Sequence, residues 1–383
     1  MLPFSDIENG MNAMAQEFFP RWLPIQIASH YGFPLADWTG ARQTIAIISL
    51  GGKLDKEELK RNFRALRTPW PDVEIKDVSQ HYTDRQDNAP TAETHLDLEV
   101  VGTICSEAKI TIYRGANDGG QGFADAVKNA VDDDNSVISI SWGHTESDDP
   151  INEQMELALA EARAKDISVC VAAGDAGSSD CRDGFHAIPA EDGRARVQYP
   201  GSSPNVLCCG GTQMMMEGDY FSEVVWNNSE MGRAATGGGV SDMFEKPEWQ
   251  SDAGIEILSA NEDRRNGRVI PDVSALAAGG AWDMLEDGVF ELGGGTSAVA
   301  PLYASMIAIA NQKRESLGKG RLGFINDKLY KLAQSSDCFN DITVGNNRPA
   351  KNYPGYDAQT GYDACTGWGS LKAAVLIDAL AAL

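Results

Sequence analysis

The sequence predicts an α/β fold, with a mostly parallel central sheet and helices on both faces. Two observations carry this. Short runs rich in β-branched residues recur along the chain, as expected of strands buried on both faces. Segments with helical apolar spacing alternate with them. Strand–helix alternation of this kind implies right-handed crossovers and parallel pairing.

The elements follow in order. TIAIISL (44–50), AKITIYR (108–114), SVISISW (136–142) and ISVCVAA (167–173) read as buried strands. Between them, 55–67, 93–108, 120–133 and 151–165 have the apolar spacing of helices packed on a sheet. NVLCCGGT (205–212) reads as a further strand, and the turn-rich stretch 213–280 has no clear element. AWDMLEDGVFELGGG, from 281, reads as a hairpin turning at Asp287-Gly288, although strands this short are also compatible with a loop. A long apolar-faced helix (TSAVAPLYASMIAIANQKR), a loop-rich segment (336–369) and a terminal helix complete the chain. The 383 residues exceed the usual domain size, but large α/β folds reach this length around one sheet. With no repeats and no low-complexity linker, a single folded domain is expected.

The chain carries 32 basic and 56 acidic residues, a net charge of −24. That surface repels nucleic acid and anionic membranes, so neither is expected as a partner. An excess of carboxylates suits an acidic environment, though many neutral-pH proteins share it. No run approaches the ~18 apolar residues of a membrane helix. The N-terminus has no basic region followed by an uninterrupted apolar stretch, so no signal peptide is read. Seven cysteines without CxxC spacing are too few for a disulfide scaffold. Cys170 and Cys208 sit in apolar runs as core residues, while Cys338 and Cys365 flank the C-terminal loop and could pair.

The strongest local signal is Gly-Gly-Thr-Ser-Ala-x-Ala-Pro at 294–301. A serine on a glycine-rich turn that opens a helix has an exposed hydroxyl, with backbone N–H groups and the helix dipole facing a developing oxyanion. Ser297 is that serine; an ordinary N-cap is the plainer use of the same residue. A nucleophilic serine needs a base, and none of the five histidines stands in a His-Gly-Thr-His setting. The alternative is Glu93-Thr-His-Leu-Asp97, whose two carboxylates project from one helical face one turn apart. Such a pair is unfavourable on a helix, but in a cleft it can share a proton. A solvated acidic face is the competing reading.

Four motifs in order carry a resemblance: Glu-x-x-x-Asp (93–97), Ser-Ile-Ser-Trp-Gly (139–143), Ala-Ala-Gly-Asp-x-Gly (172–177) and Gly-Gly-Thr-Ser-Ala-x-Ala-Pro. Gly-Gly-Gly-Val-Ser (237–241), Pro-Asp-Val-Ser (271–274) and Asp-Ile-Thr (341–343) add to it. The chain resembles the sedolisin (serine-carboxyl peptidase) family, in its kumamolisin-like branch. The resemblance implies a subtilisin-like fold with a C-terminal calcium-binding loop. It also implies endopeptidase activity through an acyl-enzyme on Ser297. Glu93 would be the general base, Asp97 the second carboxyl hydrogen-bonded to it, and Asp175 a protonated oxyanion-hole donor. Trp142 resembles a tryptophan beside the catalytic carboxylates and is also compatible with a strand-end core aromatic.

The chemistry is self-consistent in acid. A histidine base is protonated near pH 4, whereas Glu, with a reference pKa of ~4.3, is partly ionised there. One departure stands out: relatives carry a Glu at the end of the first strand, where this chain has Ser49. For calcium, the resemblance implies side-chain oxygens from Asp341 and Asp363 and carbonyls from Ile342, Gln359 and Gly361, the hard-oxygen mixture that Ca2+ takes. Gln198 stands where some relatives have an acidic residue favouring basic side chains, so no strong preference for Arg or Lys beside the cleaved residue is expected.

The domain reading is residues 1–22 as an N-terminal extension or pro-region remnant and 23–383 as the catalytic domain. The substrates are read as proteins or peptides, and the chain as a monomer. Location is extracellular by the resemblance, or cytoplasmic or leaderless with Met1 as the native start. Two rival functions were weighed. A catalytically inactive subtilisin-fold binding or structural protein is disfavoured by the intact Ser297, Glu93, Asp97 and Asp175. A nucleotide binder is disfavoured because no strand runs into GxGxxG at a helix start.

Overall fold

The computed structural model describes residues 21–78, 88–118, 120–149, 151–217, 220–278, 281–286 and 289–383. In chain order these form α1 (Pro24–His30), β1 (Thr44–Leu50), α2 (Lys56–Ala65), β2 (Asp72–Asp77), α3 (Asn88–Ile104), β3 (Lys109–Gly115), α4 (Gln121–Asp132), β4 (Val137–Ile140), α5 (Ile151–Ala164) and β5 (Ser168–Ala172). Then come β6 (Leu207–Glu217), β7 (Tyr220–Val225), β8 (Gly239–Glu245), β9 (Gly267–Ile270), β10 (Val273–Leu276) and the hairpin β11 (Trp282–Glu286) and β12 (Val289–Gly293). The chain closes with α6 (Val299–Ser316), α7 (Asn326–Ser335), β13 (Phe339–Asn340), β14 (Ser370–Leu371) and α8 (Ala373–Ala382).

The main sheet runs β13-β14-β10-β6-β5-β4-β1-β3-β2, with β7 antiparallel on β6. Its central pairings are parallel, for example Ile45↔Ile110, Ile45↔Val137 and Leu207↔Cys170. Strand β1 is the switch point: β2 and β3 lie on one side of it, and β4, β5 and β6 on the other. In open parallel sheets such a point opens a crevice at the carboxyl ends of the strands.

The side-chain period of two sorts β1 between two cores. Ile45 and Ile47 join the layer holding α3, α6 and α8. Ala46, Ile48 and Leu50 join the layer holding α4 and α5. Helix α6 is buried on all sides from Val299 to Asn311, so it lacks the amphipathic stripe of a surface helix.

The expected strands and helices are present, with shifts at the ends. Helix α3 spans Asn88–Ile104 where 93–108 was expected, and β6 runs on to Glu217. The stretch 213–280, left without elements in the sequence reading, holds β7 to β10. Edge strand β2 (DVEIKD) was missed because only Val73 of its residues is buried. The hairpin from 281 forms, while its Asp287-Gly288 turn lies outside the described residues. So do residues 1–20 of the expected extension; Trp22 pairs by backbone with the hairpin, accepting from Asp283 N and donating to Ala281 O, both at 2.9 Å.

The suggested Cys338–Cys365 pairing is corrected. All seven cysteines are free thiols, and these two belong to different core clusters. Cys170 and Cys208 are wholly buried core residues.

Candidate active site

Three strand ends and one helix start converge at the carboxyl edge of the sheet. Ser49 is the last but one residue of β1, Ser141 and Trp142 follow β4, and Gly174 and Asp175 follow β5. The nucleophile arrives from the other side. After β12 the chain turns at Gly295 (φ 93°) into a 3₁₀ turn, Thr296–Ala298, that opens α6. A Cβ on Gly295 would lie 2.5 Å from Asp175 Oδ2, so glycine is needed both for its backbone angle and for the close approach of that carboxyl. Ser297 thus sits at the positive end of an 18-residue helix.

Helix α3 supplies the carboxyls. Burial raises the Glu93 carboxyl, and the nearby Ser297 hydroxyl restrains that rise; Ser297 Oγ itself donates to Ser141 O at 3.5 Å. Asp97, wholly buried, accepts from Ser141 Oγ at 2.7 Å, and that hydroxyl also lies 3.1 Å from the Ser297 carbonyl oxygen. Glu93 Oε1 and Asp97 Oδ2 are buried without a hydrogen-bond partner among the described residues. Two such orphaned acceptors are costly unless a proton is shared between them.

The titration of this pair follows from its surroundings. Asp97 is raised well above the usual carboxylate range by burial and then by the charge of Glu93. Glu93 is raised by burial and by Asp175, whereas Arg182 draws it down. The two carboxyls are raised together by burial and by one another's presence, so they titrate as a pair, one ionised while the other holds a proton. A carboxylate base backed by a neutral carboxyl can take a proton from Ser297.

Asp175 faces the same turn. Its Oδ1 accepts from Thr296 N and Thr296 Oγ1, both at 2.8 Å. The carboxyl is therefore oriented through Oδ1, leaving Oδ2 to carry a proton. Burial raises its pKa, opposed by the two Thr296 bonds and by Arg182. A neutral carboxyl held this way can donate to an oxyanion.

Ser49 Oγ lies 2.7 Å from Thr94 Oγ1, next in sequence to Glu93. Trp142 Nε1 donates to Ile48 O at 3.1 Å, and its ring packs on the α4–α5 core, so it braces the end of β1 as a strand-end aromatic. Gln198 lies against the Cα faces of Gly143 and Gly174 and donates to Asp180 Oδ1 at 3.3 Å. Its amide thus fills the space over the glycines that follow β4 and β5.

The structure brings together Ser297, Glu93, Asp97 and Asp175, with Ser49 and Trp142 at their margin. Sequence reading missed Ser141, Thr296 and Arg182. Ser141 and Thr296 lay inside quoted motifs, but only the folded site shows them holding carboxyls. Arg182 has no motif to mark it.

The second predicted site lies in the C-terminal loop. Asp341 Oδ2 accepts from Gly361 N at 2.9 Å, and Asp363 Oδ2 from Gln359 N at 3.2 Å, so both carboxylates clasp the 359–361 segment. Burial raises Asp363 to about 6, opposed chiefly by hydrogen bonds, and among the described residues it forms no ion pair. Ile342 is buried in the adjoining cluster. Among the described residues no group of three or more His, Cys, Asp or Glu side chains converges. The predicted set is of another kind, two carboxylates with carbonyls of 342, 359 and 361. That all-oxygen chemistry, with a buried carboxylate lacking a counter-cation, fits calcium.

The parallel sheet with its switch-point crevice, and the serine at a glycine-turn helix start, define a subtilisin-like architecture. Known proteins agree. A model described as the subtilase family matches residues 83–352. Kumamolisin of Bacillus sp. (strain MN-32) is 38% identical over 97% of this chain and 66% of its own length. Sedolisin of Pseudomonas sp. (strain 101) is 30% identical over 88% of this chain and 58% of its own. The solved structure of Pseudomonas sedolisin, a serine-carboxyl proteinase complexed with two molecules of pseudo-iodotyrostatin, superposes with a TM-score of 0.78. It is 27% identical, covering 94% of this chain and 98% of that one. The chain belongs to the subtilase family, in the kumamolisin-like branch of the sedolisins, the serine-carboxyl peptidases. It spans about two thirds or less of the length of these curated relatives.

Proposed function

We propose that this chain hydrolyses peptide bonds as a serine-carboxyl endopeptidase, through an acyl-enzyme on Ser297. The observation that carries the proposal is the approach of the Glu93 carboxyl, on a separate helix, to the Ser297 hydroxyl at the start of α6, close enough for that hydroxyl to lower its pKa. Glu93 takes the hydroxyl proton as Ser297 Oγ attacks the carbonyl carbon. Asp175 Oδ2–H donates to the oxygen that becomes negative, and Glu93–H then gives its proton to the departing amine. Water, activated by the same carboxylate, releases the acid product and restores the serine. Asp97 supports Glu93 by staying neutral, and Ser49 and Trp142 support the strand end beside it.

The working pH is bounded on both sides. Glu93 must be ionised and Asp175 protonated, and burial raises both. These shifts displace the optimum upward from that of a free glutamate; activity on the acid side is what the family resemblance implies. Calcium, held by Asp341, Asp363 and the carbonyls of Ile342, Gln359 and Gly361, would cross-link the loop. Residues 1–22 are assigned as an extension or pro-region remnant, and the chain as a monomer acting on proteins or peptides.

Casein and fluorogenic peptides assayed across pH 3–7, with Ser297→Ala as control, test the reading. Cleavage lost in the variant by roughly 10⁵-fold or more is expected. Equal cleavage by the two proteins, or none by either, overturns it.

A further inference from the structure

We propose that a cavity behind the oxyanion loop binds the leaving side of the substrate and selects peptides with acidic residues there. The cavity encloses about 810 Å³. The face of the β6–β7 hairpin, the segment 227–233 and the loop 344–351 form its walls. This proposal rests on the peptidase reading above.

Position comes first. The segment that lines the cavity continues to Ala235, whose N–H donates to Asp175 O at 3.0 Å and whose carbonyl accepts from Gly177 N at 2.9 Å. Asn227, on the cavity wall, pairs with that same residue. From the other wall, Asn347 O accepts from Ser178 N at 2.8 Å. Both walls are therefore built directly on the oxyanion loop. The sheet order sets the side: Gln198 packs on Gly143 and Gly174, which follow β4 and β5, and β6 lies beyond β5. A substrate with its carbonyl at Asp175 and its acyl side over β4 and β5 would extend its leaving side toward β6 and the cavity.

Charge gives the ligand class. Arg233 and Lys351 line the cavity, and neither forms an ion pair or a side-chain hydrogen bond among the described residues. Their charge is therefore available to a ligand in a chain whose net charge is −24. Arg348 on the same wall is neutralised by Asp357, and Glu230 is the one carboxylate lining the space among the described residues. Met215, Met231 and Val344 are 40%, 59% and 61% exposed there, an apolar bed for a peptide chain between the cations. Unpaired cations over such a bed suit a peptide carboxylate.

The test uses matched internally quenched peptides with Glu or Gln at the second, third or fourth residue after the scissile bond, assayed at low and high salt. At one of these positions Glu is expected to raise kcat/KM about tenfold over Gln, and added salt to shrink the ratio. In Arg233→Gln/Lys351→Gln the Glu/Gln ratio falls to near one, and Arg233→Glu/Lys351→Glu inverts it in favour of Gln. Because the readout is a ratio within one protein, partial unfolding does not mimic it. A wild-type ratio of one at all three positions, or a ratio unchanged in both variants, overturns the proposal. Binding of labelled Glu and Gln peptides to Ser297→Ala separates the two readings. Charge-dependent binding without any cleavage by the parent enzyme leaves the cavity standing and removes the peptidase.

Discussion

Ser49 Oγ and Thr94 Oγ1 lie 2.7 Å apart, joining the end of β1 to the helix that carries Glu93. Both residues are buried, with Ser49 fully so. Relatives of the resembled family place a glutamate here; this chain has a neutral hydroxyl pair instead.

Ser49→Glu is therefore expected to move the acid limb of the activity–pH profile. A carboxyl in this site would be desolvated and held neutral in acid, and could donate toward the Glu93 end of α3. Donation to a carboxylate lowers its pKa, so the limb should move down by about one pH unit. Added volume in a packed site costs ~1–3 kcal/mol, read as a lower melting temperature. A profile that overlays that of the parent enzyme removes Ser49 from the account of pH.

Asp175 offers a sharper test. Its Oδ1 is committed to Thr296, so only Oδ2 is free to donate, and only when protonated. Asparagine keeps the accepting oxygen and donates at every pH. Asp175→Asn should retain activity in acid and extend it on the alkaline side, whereas Asp175→Ala should lose about 10²–10³-fold in kcat. An alkaline limb that is the same in Asp175→Asn as in the parent would assign that limb to another group.

The proposed calcium loop makes a prediction about stability. Asp363 is buried with both oxygens engaged, its Oδ1 accepting from Cys365 N at 2.8 Å and Thr366 N at 2.9 Å. With Ca2+ at about 100 times its Kd, bound metal would add ~2.7 kcal/mol to the folded state. Chelation should lower the melting temperature of the parent and leave Asp341→Asn unchanged. A melting temperature indifferent to both calcium and chelator rejects the site.

How much of this was legible before the fold was seen depended on the kind of signal. The buried strands were readable because β1, β4 and β5 lie between two cores and are apolar on both faces. Edge strand β2 was not, because its exposed face carries charges that look like loop. Strands β7 to β10 leave no long periodic run: β8 is partly exposed, and β9 and β10, though fully buried, are only four residues each. Among site residues, Ser297 and Glu93 were legible because glycine-turn and i,i+4 patterns are local. Ser141 and Thr296 act on partners 44 and 121 residues away, and no local spacing encodes that.

Glu99 provides the last test, on pH and folding together. It is fully buried on α3, two residues beyond Asp97. It accepts from Leu285 N at 3.1 Å and from Asn62 Nδ2 at 3.2 Å, so it ties the hairpin leading to Ser297 onto the helix that bears Glu93. Burial, opposed by those two bonds, raises its pKa from 4.5 to about 8. The sign follows from linkage. Below pH 4.5 both folded and unfolded chains hold the proton and nothing is lost. Between 4.5 and about 8 the unfolded chain releases it while the folded one keeps it, so stability falls as pH rises, and above 8 the loss levels off. At ~1.4 kcal/mol per pH unit the fall is of order 5 kcal/mol for this group. Surface carboxylates held low by cations, such as Asp133 and Asp192, act in the opposite sense below pH 4, but they are largely exposed and contribute little. The melting temperature should therefore be higher near pH 4.5 than at pH 8. Glu99→Gln should flatten part of that slope, because a neutral amide keeps an acceptor for Leu285 N and can offer a donor to Asn62 Oδ1, which has no partner among the described residues. Glu99→Ala should instead lower stability at every pH by leaving Leu285 N unsatisfied, a loss of ~1–3 kcal/mol. If Glu99→Gln keeps the full parental slope, the pH dependence resides in other buried carboxyls, Glu93 and Asp97 first among them.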